Sequence, residues 1–117
     1  MLLSKRLLIH RAVLKQKTGR IDRDRNPIYE SAELRNVRIG LTRRVRSGAH
    51  GIIRADTMTL FIVPLFSEYF KDGKKSALVI PNEDDVIVFE GKEYTVKGVT
   101  PCYGAGARVN HYEVVLE

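Results

Sequence analysis

A single cysteine, Cys102, stands in this chain of 117 residues, which excludes an internal disulfide and the stapled scaffolds of small secreted domains. A reducing interior is the expected setting. Long apolar runs are missing too. The apolar start from Met1 to Ile9 is broken by Lys5 and Arg6 and followed by His10, Arg11 and Lys15, leaving neither a signal-peptide core nor a membrane span. A soluble protein made in the cytoplasm, with no membrane partner, is expected. Aromatics are scarce where positive charge is dense: Tyr29 is the only one in the first 54 residues. A base-stacking platform beside a basic groove is therefore disfavoured. Acidic residues are few in the same stretch, where Asp22, Asp24, Glu30 and Glu33 face fourteen Lys and Arg, a net of +10. From Ala55 to Glu117 six basic and ten acidic residues give −4, so the chain as a whole carries +6. Such asymmetry implies a polyanion partner for the basic half, or assembly in which the acidic part of one copy meets the basic part of the next.

What is present reads as one small domain spanning 1–117, mainly β, an antiparallel barrel or sandwich of six to seven short strands with little helix. Leu7 to Lys17 partly alternates and reads as a strand, with a helix through Leu3, Leu7 and Leu14 as the rival. Gly, Asp, Asn and Pro between Thr18 and Pro27 suit a hairpin connection, after which an extended pattern resumes to Ile39. Leu41 to Gly51 has little apolar content and two interior glycines, Gly48 and Gly51, and is expected to be a long, flexible, basic loop. Ile52 to Val63 is strand-like and stops at Pro64, with a turn or single helical turn expected over Ser67 to Gly73. Val86 to Phe89 and Lys92 to Lys97 flank Glu90-Gly91 as a tight hairpin. A second hairpin runs through Gly104-Ala105-Gly106 to a strand whose Tyr112, Val114 and Leu116 share one face.

Constellations that carry chemistry are thin. Asp22, Asp24, Asn26 and Glu33 mimic calcium-loop spacing, but Pro27 occupies the position that needs glycine, and Arg23 and Arg25 add positive charge, so a solvated hairpin tip is the better reading. Cys102 with His10, His50 or His111 lacks a local nucleophile motif. Gly104-x-Gly106 has no third glycine or following helix. Glu83-Asp84-Asp85 reads as a solvated turn. No enzyme, cofactor or metal is assigned. The serious candidates are Arg43, Arg44 and Arg46, which suit phosphates without reading bases. Phe61, Phe66, Tyr69 and Phe70 belong to an apolar cluster that is mostly core, with some members expected at a subunit interface.

Thr18-Gly19-Arg20-x-Asp22-x-x-x-Asn26-Pro27-x-Tyr29 is followed by Leu34-x-Asn36-Val37-Arg38, then Val88-Phe89-x-Gly91-Lys92-Glu93-Tyr94-Thr95-Val96, Pro101-Cys102-Tyr103 and Tyr112-Glu113-Val114. In that order and spacing they resemble the minor capsid protein family of tailed phages and prophages, over nearly the whole chain. The family is similar in size and strand content to the head-completion, or stopper, proteins of the head-tail connector. The resemblance implies a small β-barrel that assembles with itself into a cyclic ring, below the portal and adaptor proteins and above tail or tail-terminator proteins. It implies a virion location at the head-tail interface, and a loop between two early strands facing the channel of packaged double-stranded DNA. By strand order that loop corresponds to Leu41 through Gly51, which carries Arg43, Arg44, Arg46 and His50. A monomeric nucleic-acid-binding barrel is the alternative.

Overall fold

Side chains alternate between interior and solvent along the first strand, β1 (His10–Ile21), where Ala12 and Leu14 are buried while Arg11 and Lys17 are exposed. The same period recurs in β2 (Pro27–Gly48), which buries Ala32 and Leu34, and in β3 (Gly51–Ile62), which buries Leu60 and Ile62. A computed structural model describes residues 5–48, 51–104 and 106–117, with the backbone alone between 42 and 56. Its remaining strands are β4 (Glu68–Lys71), β5 (Lys74–Ser76), β6 (Val86–Phe89), β7 (Lys92–Tyr103) and β8 (Val109–Leu116). Among the described residues the only helical element is a 3-10 turn at Lys5–Leu7.

Every strand pairing is antiparallel, and the order β1-β6-β7-β8-β3-β2 closes when β2 pairs back onto β1. The result is a six-stranded barrel filled by Leu14, Leu34, Val37, Leu60, Ile62, Ile87, Val96 and Val114, none of which has exposed surface. Each such side chain contributes roughly 1.5–3 kcal/mol of transfer free energy. The expected class is borne out, with eight strands among the described residues rather than six or seven, because β4 and β5 form an extra hairpin along β2.

That hairpin replaces the turn expected over Ser67 to Gly73. The turn comes earlier, at Pro64–Phe66, where Pro64 ends β3 and the chain re-enters the same edge of β2 as β4. Asn36 makes the switch possible. It sits in β2 with φ of 55°, at the irregularity between the His10–Val37 and Arg11–Arg35 pairs. Its Nδ2 donates to Phe66 O (3.3 Å) and Glu68 Oε1 (3.2 Å), and its carbonyl accepts from Ser67 Oγ (2.8 Å). Ser67 Oγ in turn accepts from Val63 N (2.9 Å). Ahead of this bulge β2 is flanked by β1 and β4, and beyond it by β3.

The hairpin between β6 and β7 turns through Glu90 (φ 50°) and Gly91 (φ 77°), the pair of positive angles a two-residue type I′ turn requires. Asp85 differs from its expected solvated state. It is buried, and its Oδ2 accepts from Gln16 Nε2 (3.1 Å) and Asn82 N (2.8 Å), pinning the approach to β6 against β1.

Candidate functional site: a basic two-stranded arm

Leu41 to Gly48, expected to be part of a loop, lies in the longest ladder among the described residues. β2 and β3 pair without a break from Arg38–Phe61 to Gly48–Gly51. β3 also pairs with β8 from Met58 to Ile62, and β2 with β1 as far as Val37. The seven rungs from Thr42–Thr57 to Gly48–Gly51 are, among the described residues, paired only with each other. They form a ribbon that leaves the barrel and extends roughly 20 Å at the usual rise of a strand. The loop reading fails because it treated missing apolar alternation as missing strand. A ribbon paired only with itself need not bury a face, so it needs no alternation, and its register is inherited from the barrel strands that enter it.

Arg43, Arg44 and Arg46 lie on the outgoing strand of this arm, in register with Asp56, Ala55 and Ile53, and Arg54 on the returning strand is in register with Val45. From Thr42 to Thr57 the sequence therefore holds four arginines and one acid, Asp56. Arg54 lies outside the Leu41–Gly51 stretch in sequence, and only strand pairing brings it back beside the others. His50 lies outside the described residues. Arg38, at the base of the arm, donates from Nη1 to Leu7 O (3.2 Å).

The aromatic candidates separate. Tyr69 is buried in the core cluster, which removes it from any exposed face, whereas Phe61, Phe66 and Phe70 are half-buried. Phe70 carries the Arg35 guanidinium 3.9 Å above its ring centroid, and Arg35 also pairs with Glu33. Large apolar side chains that do reach solvent include Ile9, Leu41, Leu65 and Tyr103, with Ile9 69% and Leu65 79% exposed.

The weak chemical constellations resolve as well. Asp22 Oδ1 accepts from the backbone N–H groups of Asp24 and Asn26, both at 2.9 Å, so the supposed calcium loop is a self-capped turn. His10 Nδ1 accepts from Ile39 N (3.0 Å), and its ring lies edge-on to Phe89 at 5.0 Å. Cys102 pairs across the ladder with His111. Burial pushes its thiol above the ordinary value and the neighbouring Glu113 carboxylate adds to the shift, the reverse of what an activated thiolate nucleophile needs.

With a closed barrel and an arginine-bearing arm established, the family comparison is direct: the minor capsid protein family matches residues 4–116. The chain belongs to that family. It is a structural phage protein and a virion component. Among curated proteins none matches the chain. Membership in a structural capsid family agrees with the expectation of a non-enzyme.

Proposed function

We propose that this minor capsid protein is a subunit of the head-tail connector, a head-completion or stopper ring below the portal and adaptor, whose arms face the passage for packaged DNA. The observation that carries the reading is the arm itself. Four arginines against one aspartate sit on a ribbon that stands clear of the barrel. Isolated two-stranded ribbons are marginal in water, so an arm of this kind gains stability from what it meets in the assembly. Arginine contacts to phosphate are independent of base sequence, which suits a protein that must hold whatever DNA was packaged.

Assembly into a cyclic ring is supported by the scattered exposed apolar side chains, Ile9, Leu41, Leu65 and Tyr103, and by the uneven charge. A head-to-tail ring brings the acidic part of one subunit toward the basic part of the next and leaves other faces for the adaptor above and the tail below. The ring can require the portal complex as template, so a monomer in solution is compatible with this role.

The decisive test is electron microscopy of virions assembled without this protein. Full-length DNA lost from heads, with tails unattached, is the expected outcome. Normally tailed particles that retain their DNA would sink the reading. The alternative of a monomeric nucleic-acid-binding barrel calls for stacking aromatics near the basic surface, and Tyr29 lies on the other ribbon of β2, opposite Lys17. Tight, salt-sensitive binding of the isolated chain to short single strands would favour that alternative.

A further inference from the structure

The β7–β8 ribbon gathers three side chains of a kind that ligate metals. Tyr112, Val114 and Leu116 turn toward the core, so His111 and Glu113 lie on the opposite, outer face. Cys102 is the direct cross-strand partner of His111 and shares that face. The Cys102 thiol, a His111 ring nitrogen and a Glu113 carboxylate oxygen all lie within 4.8 Å of one another.

We propose that Cys102, His111 and Glu113 form a binding site for a divalent transition metal ion of the Zn2+ type, linking β7 to β8 on the outer wall of the barrel.

Two features of His111 support this beyond proximity. Its Nε2 is 3.2 Å from Glu113 Oε1, close to the edge of about 3.3 Å expected between two ligands of a tetrahedral ion with bonds of about 2.0–2.1 Å. Its Nδ1 is 3.0 Å from Asn110 Oδ1, the outer partner that fixes the ring and its tautomer in metal-bound histidines. A neutral imidazole has one N–H, and if it is given to Asn110 the Nε2 lone pair faces a carboxylate oxygen. A cation between them removes that conflict. Thiolate and carboxylate together neutralise a divalent ion, and sulfur with imidazole favours zinc-like ions over calcium or magnesium. Three protein ligands leave a fourth position for water or for a group from a neighbouring molecule. Binding displaces the thiol proton, breaking the weak 3.8 Å contact of Cys102 Sγ with Thr100 O.

The lone cysteine makes the test specific. Metal-free full-length protein titrated with Co2+ is expected to develop a sulfur-to-cobalt absorption band in the near ultraviolet, saturating at one ion per chain and abolished by added Zn2+. Only Cys102 can supply it. His111→Gln and Glu113→Gln should each weaken Zn2+ binding at least tenfold, and Asn110→Ala by about 10–100-fold, the range for outer-partner losses. Far-ultraviolet circular dichroism of the metal-free variants verifies that the fold is retained. Absence of the band in the parent protein at stoichiometric Co2+ overturns the proposal. A band of unchanged affinity in His111→Gln also overturns it.

Discussion

β2 carries a ribbon at each end, and the two differ in a way that separates scaffold from candidate function. The N-terminal ribbon, Lys17 to Glu30, pairs β2 with β1, and the C-terminal arm, Thr42 to Thr57, pairs it with β3. Each holds four basic residues, but the first sets Asp22, Asp24 and Glu30 against them while the second has Asp56 alone. The first is also tied down. Asp22 caps its turn, Thr18 Oγ1 donates across it to Ile28 O (3.0 Å), and Glu30 bonds Lys71 of β4 at 2.9 Å, holding that ammonium above its usual range. The backbone of the arm is held by the ladder between β2 and β3. A charge surplus spread along the sequence is thus divided into a capped ribbon with three acids and an arm with one. In the first ribbon the acids Asp22 and Glu30 are engaged by backbone N–H groups and by Lys71.

The largest expected difference between the ribbons is in DNA binding. Replacing Arg43, Arg44 and Arg46 with alanine should make the dependence of log K on log salt shallower by about 2.7 for duplex DNA, and weaken binding by about 500-fold at 0.1 M salt, if each arginine meets one phosphate. The matching change in the other ribbon, Lys17, Arg20 and Arg23 to alanine, should alter both far less, as followed by fluorescence anisotropy. Equal effects would erase the distinction. A smaller, structural effect is expected at Asn36, which joins the two halves of β2. Asn36→Ala loses hydrogen bonds to Phe66 and Glu68 and forces alanine into a left-handed backbone, at a cost of about 2–3 kcal/mol in chemical denaturation. Asn36→Gly, free of the backbone strain, should cost less. At the capped turn Asp22→Ala should cost about 1 kcal/mol, because the two N–H groups it serves are exposed and water replaces the carboxylate. Smallest of all is the effect of removing the arm. Joining Thr42 to Thr57 through an Asn-Gly turn should change barrel stability by less than about 0.5 kcal/mol while abolishing the arm-dependent DNA binding. A large loss of stability would mean the arm is part of the scaffold.

Much of the barrel was legible because alternation and turn chemistry are local. Glu90-Gly91 marked its hairpin, Pro64 ended β3, and Tyr112, Val114 and Leu116 faced inward as their spacing implied. The failures share a cause. The β4–β5 hairpin was read as a turn because its strands are only four and three residues long and gain their pairing from β2. Asp85 looked solvated beside Glu83 and Asp84, yet Gln16, sixty-nine positions away, reaches it. The candidate site was half legible. The arginines were identifiable by type and crowding, but Arg54 joined them only through pairing, and Cys102 met His111 and Glu113 only across a ladder.

The sequence by itself determined a mainly β fold with its turns, most of its inward-facing residues, an uneven charge, and a likeness to minor capsid proteins that the family match bears out. Tertiary structure alone decided that the sheet closes, that Asn36 lets one edge of a long strand pair first with β4 and then with β3, and that the arginine-rich stretch is a paired arm rather than a loop. Those outcomes rest on backbone hydrogen bonds between segments far apart in the chain. Backbone groups are alike in nearly every residue, so their pairing leaves little trace in the order of side chains.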